Sequence, residues 1–268
     1  VLAMRCPGLR GGPRLMPGEQ MARGAVALWL VPRAGAHRDP RAEAAELSPA
    51  ARERINALRT PDARDGQLLS RAWLARMLRA YFGPASAGWT IGVDCKGCAV
   101  LRDAPPEIAI AFAHGRDRIA IAIGHDCGPG LGIDLEDRLD RDDPLLAPVI
   151  LAPAELERYH RLATGKRRRQ YLLVRWVAKE AYVKARRVGL AMPFDTIEVI
   201  EAAPGVYGVG HPAGLDGQHW QVRLLEPSDD LAIAVAWAPT RDTPLALTVH
   251  SVDELPFERD AFTLIRLR

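Results

Sequence analysis

Two stretches of the chain carry acidic and basic side chains at spacings suited to chemistry. In Gly130-Leu131-Gly132-Ile133-Asp134-Leu135-Glu136-Asp137-Arg138, an apolar run of strand character holds Asp134 and Glu136 two residues apart. On a strand that spacing points both carboxylates to one face. Like charges side by side repel, and burying either alone is costly, so the pair calls for a positive partner. The second stretch runs from Val174 to Gly189. There Trp176, Glu180 and Lys184 recur at i, i+4 and i+8 and so line one face of a helix. Taken singly, each stretch has an ordinary reading: an edge strand with one wet face, and an exposed Glu–Lys helical pair of small energetic weight. Taken together, Asp134, Glu136 and Glu180 are three hard oxygen donors of the kind magnesium prefers. Magnesium held by carboxylates keeps positions open for water and phosphate oxygens, which Lys179, Lys184 and the basic run from Lys166 to Arg169 would face. The positive partner is therefore read as a divalent metal shared with a phosphate ligand.

The elements that must hold these residues follow from periodicity and punctuation. Residues 24–31 read as a strand. A helix is expected over 46–58, with Ser48 as N-cap and Pro49 at the first helical position. A stronger helix spans 64–83, where Leu68, Trp73, Leu74, Met77, Leu78 and Tyr81 form an apolar stripe closed by Gly83-Pro84. Short strands follow at 89–94, 107–113, 118–124 and 130–137. The second half gives helices at 143–150, 153–163 and 166–188, then strands at 195–201, 205–209, 219–226 and 231–237, with 245–252 as a further strand or tail. This order predicts an α+β fold of two similar lobes with pseudo-two-fold symmetry, each a small, mostly antiparallel sheet with packed helices. The expected division is a disordered leader at 1–22, an N-terminal lobe at 23–128, a C-terminal lobe carrying the metal site at 129–252, and a tail at 253–268. Asp137 and Arg138 read as surface.

Bulk properties narrow the function. The 268 residues are 48% hydrophobic and 26% charged, which suits a globular protein with a sizeable core. A formal charge of +3 is weak for a nucleic-acid binder, although the pI of about 8.8 allows a local basic groove for an anionic ligand. No apolar run approaches the roughly 20 residues that cross a bilayer, and the Gly-, Pro- and Arg-rich start lacks the apolar core of a secretory signal. A cytoplasmic protein binding neither membrane nor nucleic acid is expected. Cys95-Lys96-Gly97-Cys98 with His125 and Cys127 is a conceivable zinc set, but one C-x-x-C without a second reads as reduced thiols. Gly128-Pro129-Gly130-Leu131-Gly132 precedes a strand and so lacks the context of a phosphate-binding loop.

Gly132-Ile133-Asp134-Leu135-Glu136, followed about forty residues later by Trp176-Val177-Ala178-Lys179-Glu180-Ala181-Tyr182-Val183-Lys184-Ala185, resembles the signature pair of the 4'-phosphopantetheinyl transferase superfamily. The two-lobed, surfactin-synthetase-type branch is the nearer resemblance. Phe112-Ala113-His114 before a strand, and the helical sequence of 47–83, are similar to that branch's first lobe. The resemblance implies transfer of 4'-phosphopantetheine from coenzyme A to a serine of an acyl or peptidyl carrier protein, by a monomer using Mg2+. It implies Asp134, Glu136 and Glu180 as metal ligands, and Glu180, directly or through a water and alone or with Glu136, as the base for the serine. Lys184 would contact the pyrophosphate, with Lys179 assisting, and His114 a coenzyme A phosphate. Arg64, with Arg54 behind it, would be a further contact. Two positions depart from the family pattern: Ala113 stands where a serine is usual, and Gly97-Cys98-Ala99 where Gly-Lys-Pro is usual. These departures keep open a catalytically impaired coenzyme A-binding homologue, and an unrelated magnesium-dependent nucleotide hydrolase is the other alternative.

Overall fold

The computed structural model describes residues 21–34, 49–94, 98–127, 130–137, 145–203, 206–210, 220–228, 231–238, 246–251 and 263–266. The leader through residue 20, Ser48, Cys95, Lys96, Gly97 and Arg138 lie outside the described residues, as does most of the tail. The described residues divide into two compact units, one running from Met21 to Asp126 and joined by the strands after Pro244, the other lying within Cys127–Thr243.

The first unit opens with β1 (Ala25–Pro32), whose six inner residues are all buried because it lies inside a sheet. Helix α1 (Pro49–Asn56) precedes α2 (Pro61–Phe82). The start of α2 is set by Thr60, whose hydroxyl accepts the Ala63 N–H at 3.2 Å, and by Pro61 at the first turn. Its end is set by Gly83 at φ 61°, a left-handed value that costs glycine little. The predicted stripe is met at Leu74, Met77, Leu78 and Tyr81; Leu69 takes the buried place expected of Leu68, which is half-buried. β2 (Thr90–Val93) and β3 (Ala99–Arg102) form a small hairpin, in which β3 is an element the sequence reading lacked. β4 (Ile108–His114) and β5 (Arg118–His125) form a second hairpin, and β5 pairs antiparallel with β1. The stripe of α2 packs with Trp29, Ile110, Ile119, Ile121 and Ile123 into one core.

The second unit begins with β6 (Leu131–Asp137), then α3 (Ala147–Ile150), α4 (Pro153–Arg161) and α5 (Lys166–Ala185). β7 (Glu198–Ala203), β8 (Val206–Gly210), β9 (Gln221–Ser228) and β10 (Leu231–Trp237) complete a five-stranded antiparallel sheet in the order β6-β10-β9-β8-β7. α5 lies on this sheet, its Val177, Ala178, Ala181 and Ala185 in one core with Ala232, Ala234 and Ala236 of β10. Small side chains on both partners let a helix sit close to a sheet.

β11 (Ala246–Ser251) corrects the sequence reading. Placed there in the C-terminal lobe, it pairs in parallel with β1 of the first unit, with β12 (Thr263–Arg266) antiparallel beside it. The first sheet thus runs β12-β11-β1-β5-β4. Its buried His250 stacks on Trp29, ring centroids 4.0 Å apart and planes 9° from parallel. The protein is α+β, as expected. Among the described residues no helix is long and apolar enough to cross a membrane.

Candidate active site

The site is built on the contact between β6 and α5. Along β6 the even positions Gly132, Asp134 and Glu136 share one face by strand parity, and Gly130 precedes the strand on the same side of α5. At the two glycines, a side chain has no room: a Cβ on Gly132 would stand 2.1 Å from the Ala181 carbonyl oxygen, and one on Gly130 2.2 Å from that of Ala185. The glycines let α5 lie directly on the strand, and Asp134 and Glu136 then meet the side chains of the same helix. Across the ladder Asp134 pairs with Ala234 and Glu136 with Ala232, whose methyl groups leave the acids uncrowded.

Lys184 donates from Nζ to Asp134 Oδ1 at 2.5 Å. Asp134 is buried, whereas the lysine side chain is 40% exposed. The second oxygen, Asp134 Oδ2, is buried without a hydrogen-bond partner, an expensive condition for a carboxylate. Burial pushes the Asp134 carboxyl above its ordinary range, against the opposing pull of the Lys184 charge and hydrogen bond and of the Leu135 backbone N–H. Glu136 and Glu180 are half-buried. Glu136 is pushed up by burial and by the Asp134 charge, and is partly relieved by the Trp176 indole N–H. Glu180 is pushed up by burial, with the Lys184 charge opposing and that of Asp134 adding. β6 is an edge strand of its sheet, as the ordinary reading has it, but it has no wet face: every residue is buried except Glu136, which is half-buried.

Among the described residues no three His, Cys, Asp or Glu side chains are gathered as a group that could hold a metal ion. The donor chemistry nonetheless suits a hard divalent cation. Asp134, Glu136 and Glu180 supply oxygen only, the Asp134 charge raises the pKa of both glutamates, and Asp134 Oδ2 lacks a donor.

Lys179 differs from expectation. It is fully buried and donates to Glu155 Oε2 at 2.5 Å, the Ile150 carbonyl at 2.7 Å and the Phe194 carbonyl at 3.1 Å. An ammonium has three N–H donors, so none remains for a phosphate. Asp137, read as surface, is buried, because it falls on the odd-numbered face of β6 with Ile133 and Leu135. In the basic run, Arg168 donates to the Leu162 and His160 carbonyls and lies over the Tyr159 ring, which ties down the turn before α5.

In the first unit, His114 ends β4 with its side chain exposed, its Nε2 3.3 Å from the Ser70 hydroxyl of α2. Ser70 is a hydroxyl beside the histidine that sequence reasoning missed, since Ala113 is the immediate neighbour in the chain. Arg33 lies near by, donating to the Gly115 carbonyl and to Asp62. Arg64 donates from Nε to the Leu58 carbonyl at 2.8 Å and braces the α1–α2 connection, while Arg54 is exposed on α1. His125 bonds the Met21 carbonyl, and the Cys98 N–H donates to Asp94.

The family model for the 4'-phosphopantetheinyl transferase superfamily matches residues 130–236, the stretch that carries β6 and α5. A holo-[acyl-carrier-protein] synthase of Streptococcus thermophilus is 37% identical over 83 residues, 28% of this chain and 68% of that protein. One of Streptococcus sanguinis is 35% identical over 82 residues with the same shares, and one of Streptococcus suis 41% over 73 residues, 26% and 59%. The glycine clearance, the strand acids and the helix Glu–Lys pair all fall inside the matched stretch, and the chain belongs to the 4'-phosphopantetheinyl transferase superfamily.

Proposed function

We propose that the protein moves the 4'-phosphopantetheine group of coenzyme A onto a serine hydroxyl of an apo acyl or peptidyl carrier protein, releasing adenosine 3',5'-bisphosphate. The observation that carries this reading is the facing of Asp134 and Glu136 on β6 with Glu180 and Lys184 on α5, around a buried carboxylate oxygen without a donor. The names of the matched Streptococcus proteins support the carrier protein as acceptor.

Asp134, Glu136 and Glu180 are the residues to hold Mg2+, which when bound neutralises charge on a pyrophosphate. Glu180 takes the serine proton, alone or with Glu136. A positioned general base contributes about 10²–10⁴-fold. The serine oxygen forms its bond to phosphorus as the bridging P–O bond of the pyrophosphate breaks. The electron pair leaves on the 5'-phosphate of the bisphosphate product. Lys184, half-exposed and already paired with Asp134, supports the charge that develops there. In the first unit His114 is the proposed contact for a coenzyme A phosphate, with Ser70 beside it, and Arg64 and Arg54 are weaker candidates of the same kind. Pseudo-two-fold symmetry between lobes, a monomer and a cytoplasmic site of action belong to the same reading.

The test is incubation with coenzyme A, Mg2+ and an apo carrier protein, read by mass spectrometry of the carrier. One added phosphopantetheine is expected; consumption of coenzyme A with an unmodified carrier would favour a hydrolase.

A further inference from the structure

Glu155 and Lys179 are fully buried, lie inside the family-matched stretch, and have no part in the chemistry above. Their bonds run to five separate pieces of the second unit. Lys179, on α5, donates to the last residue of α3, Ile150, and to Phe194 in the turn before β7. Glu155, on α4, accepts the Lys179 ammonium and the Ala152 N–H on Oε2, and the Val199 N–H of β7 on Oε1. Every Nζ donor and both carboxylate oxygens are used, which is the condition under which a buried ion pair is tolerated. Lys179 immediately precedes Glu180. On the far side of the same helix turn, Ala181 and Ala185 rest on Gly132 and Gly130 with no clearance for a Cβ.

We infer that the Glu155–Lys179 pair is a positioning device for catalysis: it fixes the rotation and height of α5, so that Glu180 and Lys184 stand opposite Asp134. The glycine contact alone sets how closely α5 approaches β6. Small, smooth side chains on both sides of the α5 packing leave the helix able to roll or slide, and a one-residue roll of about 100° would carry Glu180 and Lys184 together away from Asp134. The ion pair holds α5 from the opposite side against α3, α4 and β7 and removes that freedom. Charge suits this better than an apolar contact, because three directional N–H bonds fix an orientation where packing alone fixes only a distance.

This inference rests on the proposed transferase reading, and its test separates the two. The double variant Lys179→Met with Glu155→Gln removes both charges while keeping side-chain length, so no lone charge is left buried. It is expected to unfold cooperatively, with kcat for carrier modification lowered roughly tenfold to a hundredfold, as for a misplaced catalytic group. KM for the carrier is expected to be unchanged, binding of magnesium alone weakened, and hydrogen exchange faster at 178–185 than in the rest of the unit. A folded double variant with wild-type kcat, magnesium affinity and exchange overturns the inference. If the double variant does not fold, Lys179→Met with Glu155→Met, which also leaves no lone buried charge and no unpaired amide, is put to the same comparison. If that also fails to fold, the pair is a folding requirement and the positioning role is overturned. Should the wild-type protein leave the carrier unmodified, the transferase reading fails, and magnesium affinity and exchange at 178–185 decide the inference by themselves.

Discussion

At the residue scale, the site is a set of carboxylates kept close at an electrostatic cost. Glu180→Gln removes the proposed base while preserving shape. Transfer is expected to fall by about 10²–10⁴-fold, with stability within about 1 kcal/mol of wild type; holo-carrier mass and thermal unfolding read the two. The pKa shifts have a consequence for stability. Asp134, Glu136 and Glu180 are all raised on folding, so between their unfolded and folded pKa values the native state holds more protons. Stability of the metal-free protein therefore falls as pH rises through that window, and Mg2+ is expected to offset the loss on its alkaline side only. Unfolding midpoints measured at several pH values with and without Mg2+ check this; an equal metal effect on both sides of the window would contradict it. Asp134, Glu136, Glu180 and Lys184 were legible because strand parity and the four-residue helical interval each define a face. The same geometry argued against Lys179 as a phosphate contact, since a residue next to Glu180 in the chain points about 100° away from it. Asp137 is the parallel case on the strand, adjacent to Glu136 and on the opposite face.

At the scale of elements, Gly130 and Gly132 matter as much as the acids. Gly132→Ala would drive a methyl group into the Ala181 carbonyl and lift α5 from β6. A destabilisation of about 1–3 kcal/mol is expected from the overpacking. Transfer activity should fall further than that loss explains, because Glu180 and Lys184 move with the helix. Denaturant unfolding and carrier modification on the same sample check this; a stable variant with full activity would show that the close approach is dispensable. Much of the element order was readable, including β1, α2, α5 and β10, where long periodic runs meet clear glycine or proline stops. β3 escaped because four residues hold too little alternation. The end of α5 was placed at 188, whereas the structure stops at Ala185 and Arg187 takes φ 56°, an unusual value for a side-chain-bearing residue that sequence pattern does not announce.

At the scale of the whole molecule, the last strands of the chain complete the first sheet. The stretch of β11 reads from sequence as a strand or a tail, and nothing local says which edge it joins; its partner β1 lies more than two hundred residues earlier. The Trp29–His250 stack anchors that pairing, and His250→Ala is expected to cost about 2–4 kcal/mol, as for loss of a packed buried ring. The cost should appear in unfolding of the first unit, with magnesium binding by the second unchanged; hydrogen exchange across β1 and β11 would show it. The central claim is that Asp134, Glu136, Glu180 and Lys184 serve phosphopantetheinyl transfer. The most direct measurement follows an apo carrier protein by intact mass with coenzyme A and Mg2+, using wild type beside Glu180→Gln. One phosphopantetheine gained on the carrier serine is expected with wild type, and a trace with the variant. Equal modification by both proteins, or none by wild type, would contradict it.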